Sequence, residues 1–134
     1  MVVVWLLIGV FLSAFAYIRL APSDLTRWHQ VPEITADKGF ANGLTRVVVI
    51  GKDGLRRFAD VVEDDPRSHV LAGSVQEGMI TFITRSRTIG FPDYTTAIQD
   101  GEELKILARS RFGRKDFGVN AERVDRWIAA LTAF

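Results

Sequence analysis

The feature that most constrains this chain is a run of 17 residues without a charged side chain, VVVWLLIGVFLSAFAYI, from Val2 to Ile18. All 17 Lys and Arg residues and all 16 Asp and Glu residues lie after it. A helix that crosses a hydrocarbon core of roughly 30 Å needs about 17 to 25 apolar residues. A buried core helix is a poor alternative, because a chain of 134 residues could hardly cover a helix that is apolar on every side. The run therefore predicts a transmembrane anchor at residues 1–20.

Processing and orientation of this anchor have competing signals. Ala14-Phe15-Ala16 has the small-x-small pattern of a signal-peptide cleavage site, but the segment lacks the basic n-region of such peptides. We therefore expect an uncleaved anchor, with a cleaved signal peptide as the alternative. Arg19 and Arg27 follow the segment and no Lys or Arg precedes it, a bias that by itself predicts a cytoplasmic domain.

Composition excludes several kinds of site. The net charge is +1, whereas dedicated nucleic-acid binders carry a strong basic excess. The chain has no Cys, which excludes disulfides, thiolate metal sites and Cys nucleophiles. Its two histidines, His29 and His69, are far apart in the sequence, and a zinc site needs at least three converging ligands. We therefore expect no metal, no cofactor and no nucleic-acid partner.

Strand signals recur through most of the chain beyond the anchor. Residues 21–43 hold Pro, Gly and mixed polar residues without a clear period, so we expect them to connect the anchor to a single domain at residues 44–134. Asp100-Gly101 lies between the last two strand segments and is typical of a two-residue type I′ hairpin turn. The strands are predicted at residues 45–50, 68–74, 77–87, 94–99 and 102–109.

Two amphipathic helices complete the predicted domain. Asp53 is expected to cap the first helix and Asn120 the second, each followed by apolar residues at helical spacing. The apolar positions are Leu55, Phe58, Ala59 and Val62 in the first helix, and Val124, Trp127, Ile128 and Leu131 in the second. Five strands and two helices predict an α+β domain, with both helices packed on one face of a mainly antiparallel sheet.

The tripeptide Arg-Ser-Arg ends two of the predicted strands, at residues 85–87 and 109–111. Alternation along a strand places both arginines of each copy on one face and the serine on the other. If the last three strands form a meander, the two copies end strands that run in the same direction, roughly 10 Å apart. Up to four guanidinium groups then converge: Arg85, Arg87, Arg109 and Arg111.

Four like charges in one place need acids, water or a bound anion to balance them. In a structural interpretation, Asp93 and Asp116 follow the two tripeptides closely enough to fold back as salt-bridge partners that fix the turns. In a functional interpretation, the arginines line a pocket for a carboxylate or phosphate group, which the five-donor fork of Arg binds bidentately. A surface for a partner protein is the third interpretation.

The stretch from Gly73 to Leu131, with ITFITRSRTIGFPDYTT, LKILARSRFGRKDFGVN and ERVDRWIAAL, resembles the bacterial domain-of-unknown-function family 1499. Residues 109–120 match the pattern Arg-Ser-Arg-x-Gly-x-x-Asp-x-Gly-x-Asn, and an Arg-Val pair follows at 123–124. The resemblance implies a small α+β domain, often membrane-tethered or exported, with no established activity. Many members carry a Cys-containing motif near the start of the domain; this chain has no Cys, so no role of that motif carries over. On this resemblance we expect a single pass in the inner membrane, with residues 21–134 in the periplasm.

The expected function is an envelope binding or interaction module with an Arg-lined site for an anionic group. Its expected partners are the membrane and either an anionic small molecule or another envelope protein. The alternative is a hydrolase that uses Ser110 or Ser86 as nucleophile and His69 as base. Neither serine lies in a Gly-x-Ser-x-Gly elbow, and no Gly-rich phosphate loop has a known spacing after a strand. A His69 ring within hydrogen-bond reach of either serine would favour the hydrolase.

Overall fold

An antiparallel sheet of six strands lies at the centre of the fold, and two helices cover one of its faces. The structure, a computed structural model, describes residues 1–87, 89–112 and 118–133. Its helices are α1 (Val2–Leu20), α2 (Leu25–Trp28), α3 (Gly54–Glu63) and α4 (Val119–Thr132). Its strands are β1 (Lys38–Phe40), β2 (Gly43–Val49), β3 (Ser68–Ser74), β4 (Met79–Arg85), β5 (Pro92–Asp100) and β6 (Glu103–Ser110). The predicted α+β class with a mainly antiparallel sheet is confirmed.

The strands pair in the order β1-β2-β6-β5-β4-β3, and every pair is antiparallel. β4, β5 and β6 form the expected meander, so β4 and β6 run in the same direction on either side of β5. Tyr94 on β5 lies opposite Arg109 on β6, and Asp93 lies opposite Ser110. Successive strand residues alternate between faces. We call the face of Tyr94 and Arg109 the anchor face, and the face of Asp93 and Ser110 the helix face.

The hydrophobic core lies on the helix face, where α3 and α4 contact each other and the sheet. Phe58 meets Phe82 and Trp127 edge to face, each at 6.0 Å between ring centroids. The predicted apolar positions are buried in α3 (Leu55, Phe58, Ala59 and Val62) and in α4 (Val124, Trp127 and Leu131), with Ile128 partly buried. Burying one large apolar side chain contributes roughly 1.5–3 kcal/mol, so these stripes hold both helices to the sheet.

The predicted apolar helix is present as α1, which has no buried residue. It has 19 residues and a mean hydropathy of 2.1, and by length and composition it can cross a membrane. At 1.5 Å per residue it is about 28 Å long, close to the thickness of a hydrocarbon core. The same length and composition also fit a signal sequence.

The β5–β6 hairpin differs by one residue from its predicted register. Asp100 pairs with Glu103, so the two loop residues are Gly101 and Glu102 instead of Asp100 and Gly101. Gly101 has a φ of +61°, a left-handed conformation that a residue without a Cβ adopts at little cost. Asp100 belongs to the strand, and its carboxylate binds Lys105 Nζ at 2.8 Å. The Asp-Gly pair locates the hairpin, but of these two residues only Gly101 lies in the loop.

Neither predicted helix cap forms through its side chain. Asp53 is the N-cap residue of α3, the position predicted for it, but its carboxylate makes no capping hydrogen bond. Gly118, with a φ of +79°, is the N-cap of α4, and Asn120 lies inside that helix, fully buried. The amide of Asn120 instead donates to the hydroxyl of Ser110 on β6 and accepts from Arg123, one turn later in α4. These partners have replaced the local capping bond that its residue type predicts.

Residues 21–43 hold two short elements that the sequence does not predict. α2 begins after Asp24, whose carboxylate accepts from the N–H and the hydroxyl of Thr26 at 2.9 and 2.7 Å. β1 pairs with β2 at the edge of the sheet. Trp28 and Ile34 are each only 4% exposed. Elements of three or four residues are too short to show a period, so tertiary contacts define them.

Candidate functional site

Residues 18–30, which include the last turn of α1 and all of α2, lie against the anchor face. Trp28 stacks on Tyr94 with 4.2 Å between ring centroids and 17° between the ring planes. The guanidinium of Arg109 lies 5.0 Å from the centre of the Trp28 ring. Strand pairing sets Tyr94 and Arg109 side by side, so the sheet offers a preformed surface for the indole. Stacked aromatic pairs and cation–π contacts each contribute about 0.5–1.5 kcal/mol.

Two arginines of the repeated phrase bind the backbone of this segment. Arg109 Nη2 donates to the carbonyl oxygens of Trp28 at 3.1 Å and Gln30 at 2.8 Å. Arg111 Nη1 donates to the carbonyl oxygen of Pro22 at 3.1 Å. Arg111 Nη1 also donates to the hydroxyl of Tyr94 at 3.2 Å. The predicted shared face of these two arginines is therefore present, and its acceptors are peptide carbonyls and one hydroxyl.

Arg85 holds the chain nearer to α1. Its Nη1 donates to the carbonyl oxygens of Ile18 at 3.2 Å and Gly90 at 3.0 Å. The hydroxyls of Tyr94 and Ser23 are hydrogen-bonded at 2.6 Å. Within the described residues, no carboxylate lies within ion-pair distance of these arginines. We call Arg85, Arg109 and Arg111 the anchor clamp, since they tie residues 18–30 to the sheet.

Arg109 is the half-buried member of the clamp that borders a cavity. Burial lowers the pKa of its guanidinium, and the charge of Arg27 lowers that pKa further. Its Nε is enclosed and has no hydrogen-bond partner in the described part of the chain. A mostly apolar cleft of about 340 Å³ lies beside it, with Ile34 and Leu107 in its wall. Because the Nη2 bonds of Arg109 go to the backbone of residues 28–30, its observed role is to position that segment.

Arg87 does not join the anchor clamp. β4 ends at Arg85, and the hydroxyl of Ser86 accepts from the N–H groups of Gly90 and Phe91 at 3.0 and 2.9 Å. The chain therefore turns before Arg87. The predicted common face of Arg85 and Arg87 is wrong, because side chains alternate regularly only inside a strand.

Arg87 instead lines a cleft of about 290 Å³ between the start of β3, the end of β4 and α4. Three exposed arginines line this cleft, and Glu122 lies among them. None of the three makes a hydrogen bond or ion pair with its side chain to any described residue. We call Arg67, Arg87 and Arg126 the arginine cleft.

One wall of the arginine cleft is fixed by a buried polar network. Arg123, which also lines the cleft, donates through Nη1 to Asp93 Oδ2 at 3.0 Å and to Asn120 Oδ1 at 3.2 Å. Asn120 Nδ2 donates to Ser110 Oγ at 3.1 Å. The side chains of Arg123 and Asp93 are only 11% and 13% exposed. Asp93 is thus paired with a helix residue, and not with Arg87 as the structural interpretation predicts.

The structure does not bring His69 to either candidate serine. His69 lies opposite Ile83 on the anchor face of β3, at the edge of the sheet, whereas Ser110 faces α4. Three pairing steps, about 14 Å, separate β3 from β6. Ser86 uses its hydroxyl in the turn after β4. A nucleophile and its base need a separation of roughly 2.6–3.2 Å, so the hydrolase alternative has no geometric support.

The sequence analysis missed Arg67 and Arg126 as candidate site residues. They lie far apart in the chain, and only the fold brings them together. The spacing of Arg123 and Arg126 indicates part of this cluster, because residues three apart on a helix share a face. Arg67 lies in a turn and has no such spacing. Asp116, the second predicted salt-bridge partner, lies outside the described residues, and its pairing stays a prediction.

Strands β2 to β6 and the two covering helices match a known family. The family described as "Protein of unknown function (DUF1499)" matches residues 44–131, about two thirds of the chain. No curated protein matches the chain. The match includes all three arginines of the anchor clamp, whereas residues 18–30, which they bind, lie before it. The chain therefore belongs to the DUF1499 family of proteins of unknown function, and a helix long and apolar enough to span a membrane precedes the family domain.

Proposed function

We propose that this protein is a membrane-anchored binding module that takes an anionic group, phosphate or carboxylate, in the arginine cleft. The observation that carries the proposal is that Arg67, Arg87 and Arg126 line one cleft and have no acceptor among the described residues. A guanidinium presents five donors in a planar fork that matches both anions. Arg123 lines the cleft as well, so its four guanidiniums outnumber the one carboxylate, that of Glu122. An excess of positive charge in a cleft raises the local concentration of anions.

Binding is favoured over catalysis by what the nearby polar groups already do. Ser86 lines the cleft, but its hydroxyl accepts two backbone N–H groups. Arg123 is held by Asp93 and Asn120. These groups shape the cleft and leave the three outer guanidiniums to meet a ligand.

We further propose that α1 stays attached and that the domain lies in the periplasm. The family resemblance supports this orientation, whereas Arg19 and Arg27 predict the opposite one. A reporter that is active only in the periplasm, fused after Phe134, decides between them and is expected to be active. The intact mass of the membrane-extracted protein is expected to include residues 1–16, which cleavage after Ala16 would remove.

Anion binding is tested by thermal unfolding of the full chain in neutral detergent micelles. Sodium phosphate and sodium succinate are compared with sodium chloride at equal ionic strength. A ligand that binds only the folded protein stabilises it by about 2.7 kcal/mol at a hundred times its Kd. We expect phosphate, succinate or both to raise Tm beyond the chloride control.

The variants Arg67→Gln, Arg87→Gln and Arg126→Gln are expected to remove that gain and to retain most of the Tm measured in chloride, because the three side chains are exposed. Arg56→Gln is the matched control, since Arg56 is a 66% exposed arginine on α3 that lies outside the cleft. Equal melting curves in all three salts, or a gain that survives in the three cleft variants, would refute anion binding at this cleft.

A further inference from the structure

The end of the domain from which α1 leaves is built of loops that contact the last turns of that helix. Tyr17 meets Phe112 edge to face with 6.1 Å between ring centroids. Phe112 lies 6.3 Å from Phe91, so a chain of three rings joins α1 to the loops after β4 and β6. With α1 in a bilayer, this chain of rings places both loops at the membrane surface, where aromatic residues are enriched.

Large apolar side chains are exposed at this end. Ile89 is 38% exposed, Phe91 36% and Val119 48%. Exposed apolar side chains beside a basic surface are typical of protein segments that lie in the bilayer interface. Val119 also lines the arginine cleft, and Arg87 lies two residues before Ile89. Apolar side chains and the arginine cleft therefore share one surface.

We infer that this surface docks on the same membrane that α1 spans, with headgroup phosphates of anionic phospholipids in the arginine cleft and Ile89, Phe91 and Val119 in the interface. The inference rests on the proposed function and names the source of the anion. Anionic leaflets attract arginines held close to their surface, and the attraction falls off within a Debye length. The anchor clamp keeps residues 18–30 on the sheet and so holds the end of the domain that carries the cleft next to the last turn of α1.

Acidic residues at the same end give the docking surface an opposing charge. α3 ends at Glu63, and Asp64 and Asp65 follow just before Arg67. The carbonyl of Arg67 accepts from the N–H of Arg85 at the end of β4, so these acidic residues lie at the end of the domain from which α1 leaves. Their charges repel an anionic bilayer. Replacing Asp64 by Asn is therefore expected to strengthen docking, the opposite of the effect of removing an arginine from the cleft.

The test uses the full chain in nanodiscs of phosphatidylcholine alone and of phosphatidylcholine with phosphatidylglycerol. Since the chain has no Cys, Val119→Cys or Glu77→Cys gives a single labelling position. Glu77 lies in the turn between β3 and β4, seven strand residues or about 23 Å from the docking end. Quenching of the attached dye by nitroxide-labelled lipid headgroups reports its distance from the bilayer.

We expect phosphatidylglycerol to increase quenching at Val119 and to leave Glu77 unchanged. The ratio of docked to undocked domain should fall about fivefold for each arginine of the cleft that is replaced by Gln. Arg56→Gln should leave it unchanged, and Asp64→Asn should raise it. Tm in detergent verifies that each variant is folded.

Equal quenching at Val119 in both bilayers overturns the inference, as does lipid-dependent quenching that persists in Arg67→Gln, Arg87→Gln and Arg126→Gln. If inorganic phosphate stabilises the protein in micelles through these arginines while the bilayers give equal quenching, the proposed function stands and the lipid assignment fails. If neither phosphate, succinate nor phosphatidylglycerol has an effect that depends on these arginines, both fail.

Discussion

Replacing Trp28 by Ala distinguishes a segment that is bound to the sheet from a segment that merely connects α1 to it. In the structure, Trp28 is 4% exposed, stacks on Tyr94 and lies under the guanidinium of Arg109. Its carbonyl oxygen also accepts from Arg109 and from the Thr96 hydroxyl. The substitution removes the ring and weakens the hold on the backbone that carries those acceptors.

The expected loss follows from the burial of the side chain. A buried Trp or Phe replaced by Ala costs about 3–5 kcal/mol, which includes the cavity left behind. Domains of this size are stable by about 5–15 kcal/mol, so the change removes a large share of the total. With a urea m-value of about 1–3 kcal/mol/M, a loss of about 3 kcal/mol lowers the unfolding midpoint by at least about 1 M.

Urea unfolding of the full chain in neutral detergent, followed by far-ultraviolet circular dichroism, measures this loss. Tryptophan fluorescence is not used, because the chain has three Trp residues and the variants remove different ones. The matched control is Trp5→Ala, the same chemical change at a 65% exposed position on α1, which should alter stability by less than about 0.5 kcal/mol. Trp28→Phe retains a ring on Tyr94 and should lie between the two. A loss for Trp28→Ala that matches the Trp5→Ala control would show that residues 21–30 do not contribute to the folded domain.

Three further changes test an ion pair, a helix cap and the β5–β6 turn. Arg123→Met leaves the carboxylate of Asp93, 13% exposed, without its cation, and should cost about 3–5 kcal/mol in urea unfolding; adding Asp93→Asn should recover part of that loss. Hydrogen bonds from the Thr26 side chain and backbone hold the pKa of Asp24 below its ordinary value of 3.8. The cap of α2 is therefore at full strength above that value and is lost as pH falls through the lowered pKa. The NMR signal of the Trp28 indole should shift as the pH is lowered through this range, and the shift should be smaller in Asp24→Asn. Gly101→Ala should lower the free energy of unfolding by roughly 1 kcal/mol, because Gly101 has a positive φ, and this loss should exceed that of Asp100→Ala. If thermal unfolding shows equal losses or the reverse order, the observed turn is contradicted.

Much of the architecture could be predicted because its signals are local. The uncharged run identifies α1, the helical spacing of Leu55, Phe58 and Val62 identifies α3, and the Asp-Gly pair locates the β5–β6 hairpin. Each signal lies within one element, where the period of apolar residues and the preferences of turn residues act over a few positions. The repeated Arg-Ser-Arg phrase also identified which arginines end β4 and β6.

The partners of those arginines were decided by tertiary structure. Arg109 binds carbonyls about 80 positions earlier in the chain. Arg87 does not share a face with Arg85 because β4 ends at Arg85, and Asp93 pairs with Arg123 on α4. A guanidinium accepts any oxygen that the fold presents at hydrogen-bond distance, so residue type and spacing specify the donor and leave the acceptor open. The local sequence thus determined α1, α3, α4, the strands β2 to β6 and the cations of this protein. The packing of distant segments determined α2, β1, and which cations hold residues 18–30 and which line the cleft.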